Sequence, residues 1–221
     1  MEVADLQSES GFMPTREEYL KALVKRHGKE RQDRFLKAKA AVCGLGGLGS
    51  NIAVALARAG VGRLHLIDYD CVDLSNVNRQ QYMVSQIGKK KTQAMKEIIA
   101  AVNPYIKVNT DTVKISETNL ELLSDDDIIC EAFDGAEQKA MLVNGILEKY
   151  PQKYIVAASG MAGMNSANEI KTRKITNHFF VCGDGKSDAG DDIGLVAARV
   201  MVCAAHQAHM VLRIIDGLFD A

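Results

Sequence analysis

The sequence lacks both a long apolar run and a basic segment followed by an apolar one. Its first five residues, Met1 to Asp5, include no basic side chain, and no stretch approaches the roughly 18 apolar residues that a membrane-spanning helix needs. These absences argue against a secretory leader and against a membrane span. We therefore expect a cytoplasmic protein without a membrane partner.

The sequence also has little excess charge of either sign. Its 27 basic and 28 acidic side chains leave a formal net charge of −1. A chain so balanced has no long-range attraction for nucleic acid or anionic lipid, so a phosphate group would have to be bound by a local arrangement of side chains and backbone. We expect no nucleic-acid partner. Apolar residues make up 47 % of the 221 residues, which is enough to build a core.

Cysteine is sparse and unpaired in the sequence. The five cysteines are odd in number, scattered, and form no Cys-x-x-Cys pair. This pattern is typical of a reducing compartment and argues against a disulfide framework. The cysteines are Cys43, Cys71, Cys130, Cys182 and Cys203.

Helical and strand patterns alternate along most of the chain. Residues 1–14 predict a flexible tail, and residues 15–38 predict an N-terminal helical arm. Apolar runs then predict strands at 40–43, 64–67, 106–110, 128–130 and 154–158, separated by helices at 50–59, 90–102, 136–149 and 195–218. Residues 182–194, rich in glycine and aspartate, predict a mobile loop. The fold class is α/β, with a Rossmann-like, doubly wound, largely parallel sheet and an N-terminal helical segment.

A glycine-rich turn follows the first predicted strand. Gly44, Gly46, Gly47 and Gly49 satisfy G-x-G-x-x-G between a strand and a helix. Glycines let the backbone approach a phosphate, and the N–H groups of the following helix, expected to begin near Ser50, attract negative charge. The pattern therefore predicts a nucleotide site.

Polar side chains are concentrated after the other predicted strands. Asp68 follows the second strand, where a carboxylate can accept hydrogen bonds from a ribose. The segment that follows contains a second carboxylate, amides and an arginine, and the next helix begins with a lysine; these are Asp70, Asn76, Arg79, Gln80 and Lys91. Their cations suit a polyphosphate. Asp134, past the strand at 128–130, is placed to hold Mg²⁺.

Taken together, these motifs resemble the HesA/MoeB/ThiF group of the ubiquitin-activating superfamily, and the short ThiF-type sulfur-carrier adenylyltransferases in particular. The resemblance covers residues 32–217. It rests on the glycine loop, on the run from Asp68 to Asp70, and on Ser75-Asn76-x-Asn78-Arg79-Gln80, Gly88-x-x-Lys91 and Phe133-Asp134. It implies that residues 15–221 form a single adenylating domain.

The resemblance also implies roles for these residues. Asp68 and Lys91 would contact ribose or phosphate, Arg79 and Asn76 the polyphosphate, and Asp134 the magnesium ion. The implied reaction is adenylation, with ATP, of the C-terminal glycine carboxylate of a ThiS-like sulfur carrier ending in Gly-Gly, in thiamine biosynthesis. The catalytic set is Arg79, Lys91 and Asp134.

The sequence departs from that group in three respects. It lacks the two Cys-x-x-Cys pairs that hold structural zinc in MoeB-like members, so we expect no zinc. It has no cysteine around residues 187–190, where relatives place a thiol for sulfur transfer. The N-terminal arginine that members lend to a neighbouring subunit has Arg26 as its candidate here, with Arg31 close by. A homodimer follows from the resemblance.

Several other interpretations remain open at this stage. A nicotinamide oxidoreductase uses the same glycine loop, a non-catalytic nucleotide-binding partner fits the missing thiol, and a tRNA-modifying adenylating relative is conceivable. Asp134 alone could cap a helix, and Cys182 could be a reactive thiol. The run of three aspartates at 125–127 predicts a solvated turn. Cys203, His206 and His209 lie too far apart along one helix for a metal and predict ordinary packing.

Overall fold

Seven strands form one sheet in the computed structural model, which describes residues 13–187 and 194–221. The strand order is β3-β2-β1-β4-β5-β7-β6, and every neighbouring pair is parallel except β6 and β7. The strands are β1 (Lys39–Cys43), β2 (Arg63–Ile67), β3 (Lys107–Asp111), β4 (Ile128–Glu131), β5 (Tyr154–Ala158), β6 (Lys171–Lys174) and β7 (Phe179–Gly183). The expected doubly wound, largely parallel sheet is confirmed.

Six α-helices accompany the sheet in the described residues. They are α1 (Arg16–His27), α2 (Lys29–Lys37), α3 (Gly47–Ala59), α4 (Lys91–Val102), α5 (Ala136–Lys149) and α6 (Ala197–Ile215). The N-terminal helical arm predicted over residues 15–38 consists of two helices, because Gly28, at φ 83°, ends α1 and precedes α2. Glycine adopts this left-handed conformation without a steric penalty, so the chain turns there.

The first helix after the glycine loop begins earlier than the sequence predicts. Helix α3 starts at Gly47 and not near Ser50, so the last glycines of the motif lie inside its first turn. Because these residues have no side chain, the first turn of the helix can pack directly against the loop and strand that precede it. The helix ends at Ala59, as the sequence predicts, and Gly60, with φ 80°, caps it.

Helices cover both faces of the sheet and bury two apolar clusters. On one face α3, α4 and α6 pack over the strands through side chains such as Ile52, Met95 and Val211. On the other face α5 and the short 3₁₀ segment 117–123 cover a smaller cluster that includes Leu123 and Leu142. The strands in the middle of the sheet are therefore buried on both sides, which explains their continuous apolar runs.

The β6–β7 hairpin was not predicted from the sequence. Strand β6 reads Lys-Thr-Arg-Lys and lies at an edge of the sheet, where its side chains are largely exposed. An edge strand of this kind has no apolar alternation to reveal it, and its charges discourage pairing with other chains.

The loop predicted at 182–194 is wrong at its start, since Cys182 and Gly183 belong to β7. Residues 188–193 lie outside the described residues.

The predicted solvated turn of three aspartates is wrong at its middle residue. Asp126 is fully buried, and its carboxylate contacts His65 Nδ1 at 2.7 Å, while His65 Nε2 contacts Asp111 Oδ2 at 2.7 Å.

In the part of the chain that the structure describes, none of the helices combines the length and apolar character that crossing a lipid bilayer requires.

Candidate functional site

A cavity opens at the carboxyl ends of β1 and β4, where the strand order reverses. Ligands bind at this switch point in open α/β sheets, because the loops leaving the two strands diverge there. The cavity holds about 180 Å³, and its lining includes half of the predicted site residues. These are Gly44, Gly46, Asp68, Asp70, Lys91 and Asp134, and Lys114, Gly135 and Gln138 line it as well.

Three glycines of the loop differ in the space around them. Gly44 has φ 90°, and a Cβ there would lie 2.7 Å from the Ala132 carbonyl oxygen, so only glycine fits. A Cβ on Gly49 would lie 1.8 Å from the Gly44 carbonyl oxygen, which makes Gly49 the contact between helix and loop. At Gly46 the nearest neighbours of a Cβ are 3.9 Å and 4.0 Å away. The space over Gly46 is therefore open to a ligand.

Asp68 fixes the glycine loop from the end of β2. Its Oδ2 accepts a 2.6 Å hydrogen bond from the Leu45 N–H, and its Oδ1 accepts a 2.8 Å bond from the Asp70 N–H. The Tyr82 hydroxyl donates to the Leu45 carbonyl at 2.8 Å. The loop is thus held in shape by side chains, and a phosphate would meet a preformed backbone.

Lys91 brings a buried positive charge to the same cavity. Its side chain is only 8 % exposed, and Nζ lies 3.1 Å from Asp70 Oδ2. The Lys91 N–H also donates to the Asp70 carbonyl at 3.0 Å, so the first residue of α4 is tied to the end of β2. An ammonium fixed in this way can contact an anionic ligand without losing much conformational freedom.

A second cavity of about 360 Å³ meets the first at Phe133 and Asp134. Much of its wall is made of small residues, namely Ala158, Ser159, Gly160, Ala162 and Gly185. Arg79, Lys139 and Lys186 line it as well. The result is a chamber lined by three cations and joined to the first cavity beside one exposed carboxylate.

Arg79 and Gln80 leave polar atoms without a protein partner. Arg79 Nη1 donates to the Ser75 carbonyl at 3.0 Å and to Asn78 Oδ1 at 2.9 Å, but its buried Nε has no hydrogen-bond partner among the described residues. Gln80 Oε1 is likewise buried without a partner there, and Gln80 Nε2 would be 3.9 Å from a Cβ on Gly46. Buried polar atoms of this kind are available to a ligand or a water molecule.

Two of the predicted site residues neither line a cavity nor contact the glycine loop. Asn76 caps its own 3₁₀ turn, where its Oδ1 accepts from the Asp73 N–H at 3.1 Å. Arg26 is exposed on α1, a helix whose Leu23 packs near Gly60 at the far end of α3. Arg31 pairs with Asp216 at 2.7 Å. The remaining predicted residues border a cavity or, like Gly49 and Gln80, contact the glycine loop.

Two buried ion pairs beside the second cavity were missed by the sequence analysis. Glu131 is fully buried at the end of β4, and Lys139 Nζ lies 3.0 Å from both of its carboxylate oxygens. Burial raises the pKa of Glu131, although the Lys139 ammonium and the Phe133 N–H oppose that rise. Arg199 and Asp184 form the second pair at 2.7 Å. The sequence did contain a signal for the first pair, because Glu131 is a charged residue directly after the apolar run of β4.

The described residues contain no group of three or more histidine, cysteine or acidic side chains placed to hold a metal ion. Magnesium does not require one, because it is commonly held by one or two carboxylates together with substrate phosphates. Asp134 does not cap α5, whose N-cap is Gly135. Its carboxylate is exposed beside Gly46 and fits that role.

The cysteines give no activated thiol at this site. Cys182 and Cys203 are buried, and burial raises the pKa of Cys182 to about 11 and that of Cys203 to about 12. A thiol with so high a pKa is a poor nucleophile at neutral pH. Most of residues 187–190, where the sequence lacks a relay cysteine, lies outside the described residues.

The sequence is similar to that of several known proteins. The model of the ThiF family matches residues 19–220. The tRNA threonylcarbamoyladenosine dehydratase of Haemophilus influenzae is 40 % identical over 141 residues, which cover 62 % of this chain and 53 % of that protein. The sulfur carrier protein adenylyltransferase of Thermus thermophilus is 36 % identical over 109 residues, covering 48 % of this chain and 40 % of that protein.

Solved structures share the fold. The E. coli tRNA N6-threonylcarbamoyladenosine dehydratase in complex with AMP superposes with a TM-score of 0.80 at 20 % identity, covering 89 % of this chain and 93 % of that one. E. coli MccB with ATP gives a TM-score of 0.69 at 22 % identity, covering 90 % of this chain and 63 % of that one. The matched segments span 28 % to 53 % of the curated relatives. Since its family model covers nearly the whole chain, the protein belongs to the ThiF family.

Proposed function

We propose that this protein is an ATP-dependent adenylyltransferase that activates the C-terminal glycine carboxylate of a small, ubiquitin-like, ThiS-type sulfur carrier in thiamine biosynthesis. The observation that carries the proposal is the pair of joined cavities. One is bounded by the glycine loop, Asp68 and Lys91, and the other is lined by three cations and many small residues. They meet beside Asp134, where a nucleotide phosphate and a carboxylate would come together.

The first cavity suits the nucleotide. Phosphate oxygens over Gly46 would accept hydrogen bonds from the N–H groups at the start of α3, whose dipole favours negative charge. Lys91 adds an ammonium, and Arg79, which lines the second cavity, has an Nε–H without a protein partner among the described residues. Asp134 would hold Mg²⁺, which supplies positive charge against the phosphate oxygens when bound.

The second cavity suits the end of a polypeptide that lacks side chains. A Gly-Gly terminus is thin enough to pass between walls made of alanine, serine and glycine. Its carboxylate, ionised at neutral pH, needs no general base. A carboxylate oxygen attacks the α-phosphorus of ATP, a new O–P bond forms, the bond to the bridging oxygen breaks, and pyrophosphate leaves. The residues act by positioning and by electrostatic stabilisation.

Carrier-dependent exchange of pyrophosphate into ATP tests this proposal. We expect exchange with a ThiS-type carrier ending in Gly-Gly and none with the same carrier lacking its last glycine. Asp134→Ala should abolish exchange. If neither a carrier in a broad panel nor threonylcarbamoylated tRNA supports turnover of ATP while ATP still binds, the chain is a non-catalytic nucleotide-binding partner. Binding of NAD at least as tight as binding of ATP would instead favour an oxidoreductase.

A second candidate is a tRNA-modifying adenylating enzyme. It is favoured by the match to the dehydratases, which reaches a TM-score of 0.80 for one and 40 % identity over part of the chain for another. A threonylcarbamoyl group also carries a carboxylate. The chain's net charge of −1 offers no general attraction for tRNA. Consumption of ATP that depends on threonylcarbamoylated tRNA, and not on a carrier, would select this candidate.

We also propose that the active form is a homodimer in which Arg26 reaches the neighbouring subunit's site. Arg26 is exposed and lies on a helix remote from its own cavities. Mixing Arg26→Ala subunits with Asp134→Ala subunits would then create heterodimers that contain one intact site. Recovery of exchange on mixing would support the shared site, and additive residual activity would contradict it.

A further inference from the structure

Lys139 occupies the border between the buried interior and the second cavity. It stands in the first turn of α5, and its side chain is 22 % exposed and lines the cavity. The Glu131 carboxylate beneath it is fully buried. A buried carboxylate is costly unless it is paired, so the ammonium is held in place by the charge below it.

The donor count of Lys139 leaves one N–H for a ligand. An ammonium has three N–H donors. Two of them are directed at Glu131, since Nζ lies 3.0 Å from Oε1 and 3.0 Å from Oε2. The third can point into the cavity that Lys139 lines. Glu131 also accepts a 2.7 Å hydrogen bond from the Phe133 N–H, so the same carboxylate fixes the loop that carries Asp134.

We infer that Lys139, oriented by Glu131, binds the acceptor carboxylate in the second cavity and aims it at the junction with the nucleotide. This inference deepens the proposed function and rests on it for the identity of the acceptor. Asp134 and Lys139 lie on either side of the start of α5, and both line the second cavity. The cavity therefore has an acidic and a basic group near one end of this helix. Lys139 would contact the carboxylate through one charged hydrogen bond, in a chamber that Arg79 and Lys186 also line.

The test compares two small probes that differ only in charge, acetyl-Gly-Gly and its C-terminal amide, in binding to the full chain. Met161 lines the second cavity, so its ¹³C-labelled methyl group reports binding there by NMR. For the wild-type protein we expect acetyl-Gly-Gly to bind at least about tenfold more tightly than the amide, the effect of one charged hydrogen bond.

Substitutions separate ligand binding from charge neutralisation. Lys139→Met alone leaves Glu131 buried without a partner and could unfold the protein, so the decisive variant is Glu131→Gln combined with Lys139→Met. This double variant should melt near the wild-type temperature yet lose most of the wild-type preference, any remainder being due to Arg79 and Lys186 in the same cavity. Lys149→Met is the matched control, because Lys149 ends the same helix in a more exposed pair with Glu121. It should keep the wild-type preference.

Three results would overturn the inference. They are a double variant that retains the preference, a wild-type protein whose Met161 methyl responds equally to both probes, and one in which it responds to neither. Failure of the proposed function has a different signature, since ATP binding is measured separately by calorimetry. A wild-type protein that discriminates the probes but binds no ATP would sustain the role of Lys139 and refute the adenylating enzyme.

Discussion

The Arg199 guanidinium joins two walls of the second cavity through the Asp184 carboxylate. Nη2 lies 2.7 Å from Asp184 Oδ2, and the two side chains are only 5 % and 2 % exposed. Arg199 Nη1 donates to the Ala162 carbonyl at 2.6 Å, and Nε donates to the Asn165 carbonyl at 2.9 Å. One side chain on α6 therefore ties the loop after β5 to the segment after β7.

Breaking this pair should destabilise the protein strongly. Arg199→Met leaves the Asp184 carboxylate buried without its cation, and we expect the free energy of unfolding to fall by about 3 to 5 kcal/mol. Urea unfolding followed by circular dichroism measures the change. Asp33→Asn, which removes an exposed pair with Lys29, is the control and should cost less than about 1 kcal/mol. Equal losses for the two variants would contradict this prediction.

Stability should also depend on the charge of His65. Burial opposes protonation of this imidazole, but its hydrogen bonds to Asp126 and Asp111 outweigh burial and raise its pKa above 6.5. A folded-state pKa above the unfolded value gives stability that is full below about pH 6.5 and is lost as the pH rises through the folded pKa. Urea midpoints measured from about pH 6 to pH 9 should therefore fall.

His65→Gln should remove that part of the pH dependence. His209→Gln, which changes an exposed imidazole on α6, is the matched control and should leave the wild-type slope intact. A wild-type slope in the His65→Gln protein would show that other groups cause the dependence.

Gly46→Ala should separate nucleotide binding from folding. A methyl group at Gly46 has no neighbour nearer than 3.9 Å, and the backbone φ there is negative, at −76°. The melting temperature should stay within a few degrees, while the affinity for ATP should drop at least about tenfold because the methyl occupies the phosphate's approach. Calorimetry measures both quantities. Unchanged ATP affinity would place the phosphates elsewhere.

Neighbouring lysines at the start of α4 provide a matched pair. Lys91→Met removes the buried ammonium of the first cavity, and we expect ATP affinity to fall about 10- to 100-fold, the value of one charged contact. Lys90→Met removes an exposed ammonium that donates to the Tyr69 carbonyl and should change affinity less than about twofold. Similar losses in both variants would point to general electrostatics instead of a specific contact.

The sequence predicted the parts of this protein whose patterns are local. The four buried parallel strands were located because each is a short apolar run, and the edge strand β3 was located by its alternating side chains. The glycine loop was found because its spacing is tied to a strand-to-helix turn. Asp68, Lys91 and Asp134 were placed at one site because the carboxyl ends of parallel strands share an edge.

What escaped prediction depends on contacts between distant residues. Asp126 was assigned to a solvated turn because its two neighbours are charged, and its burial is set by His65, 61 positions earlier. Lys139 and Arg199 are ordinary helix residues in sequence, and their roles come from carboxylates on other elements. Strand β6 is polar because it lies at the sheet edge, so no periodicity marks it.

Cys71 is the exposed thiol among five cysteines of which the other four are buried, and its backbone forms a bridge with Lys90 beside the first cavity. Thiol-directed dyes react with accessible sulfur, so the unmodified chain would accept one label at a defined position. That label would stand next to Asp70 and one residue from Lys91 along the bridge. Its emission would then follow occupancy of the cavity in real time, without a substitution being made.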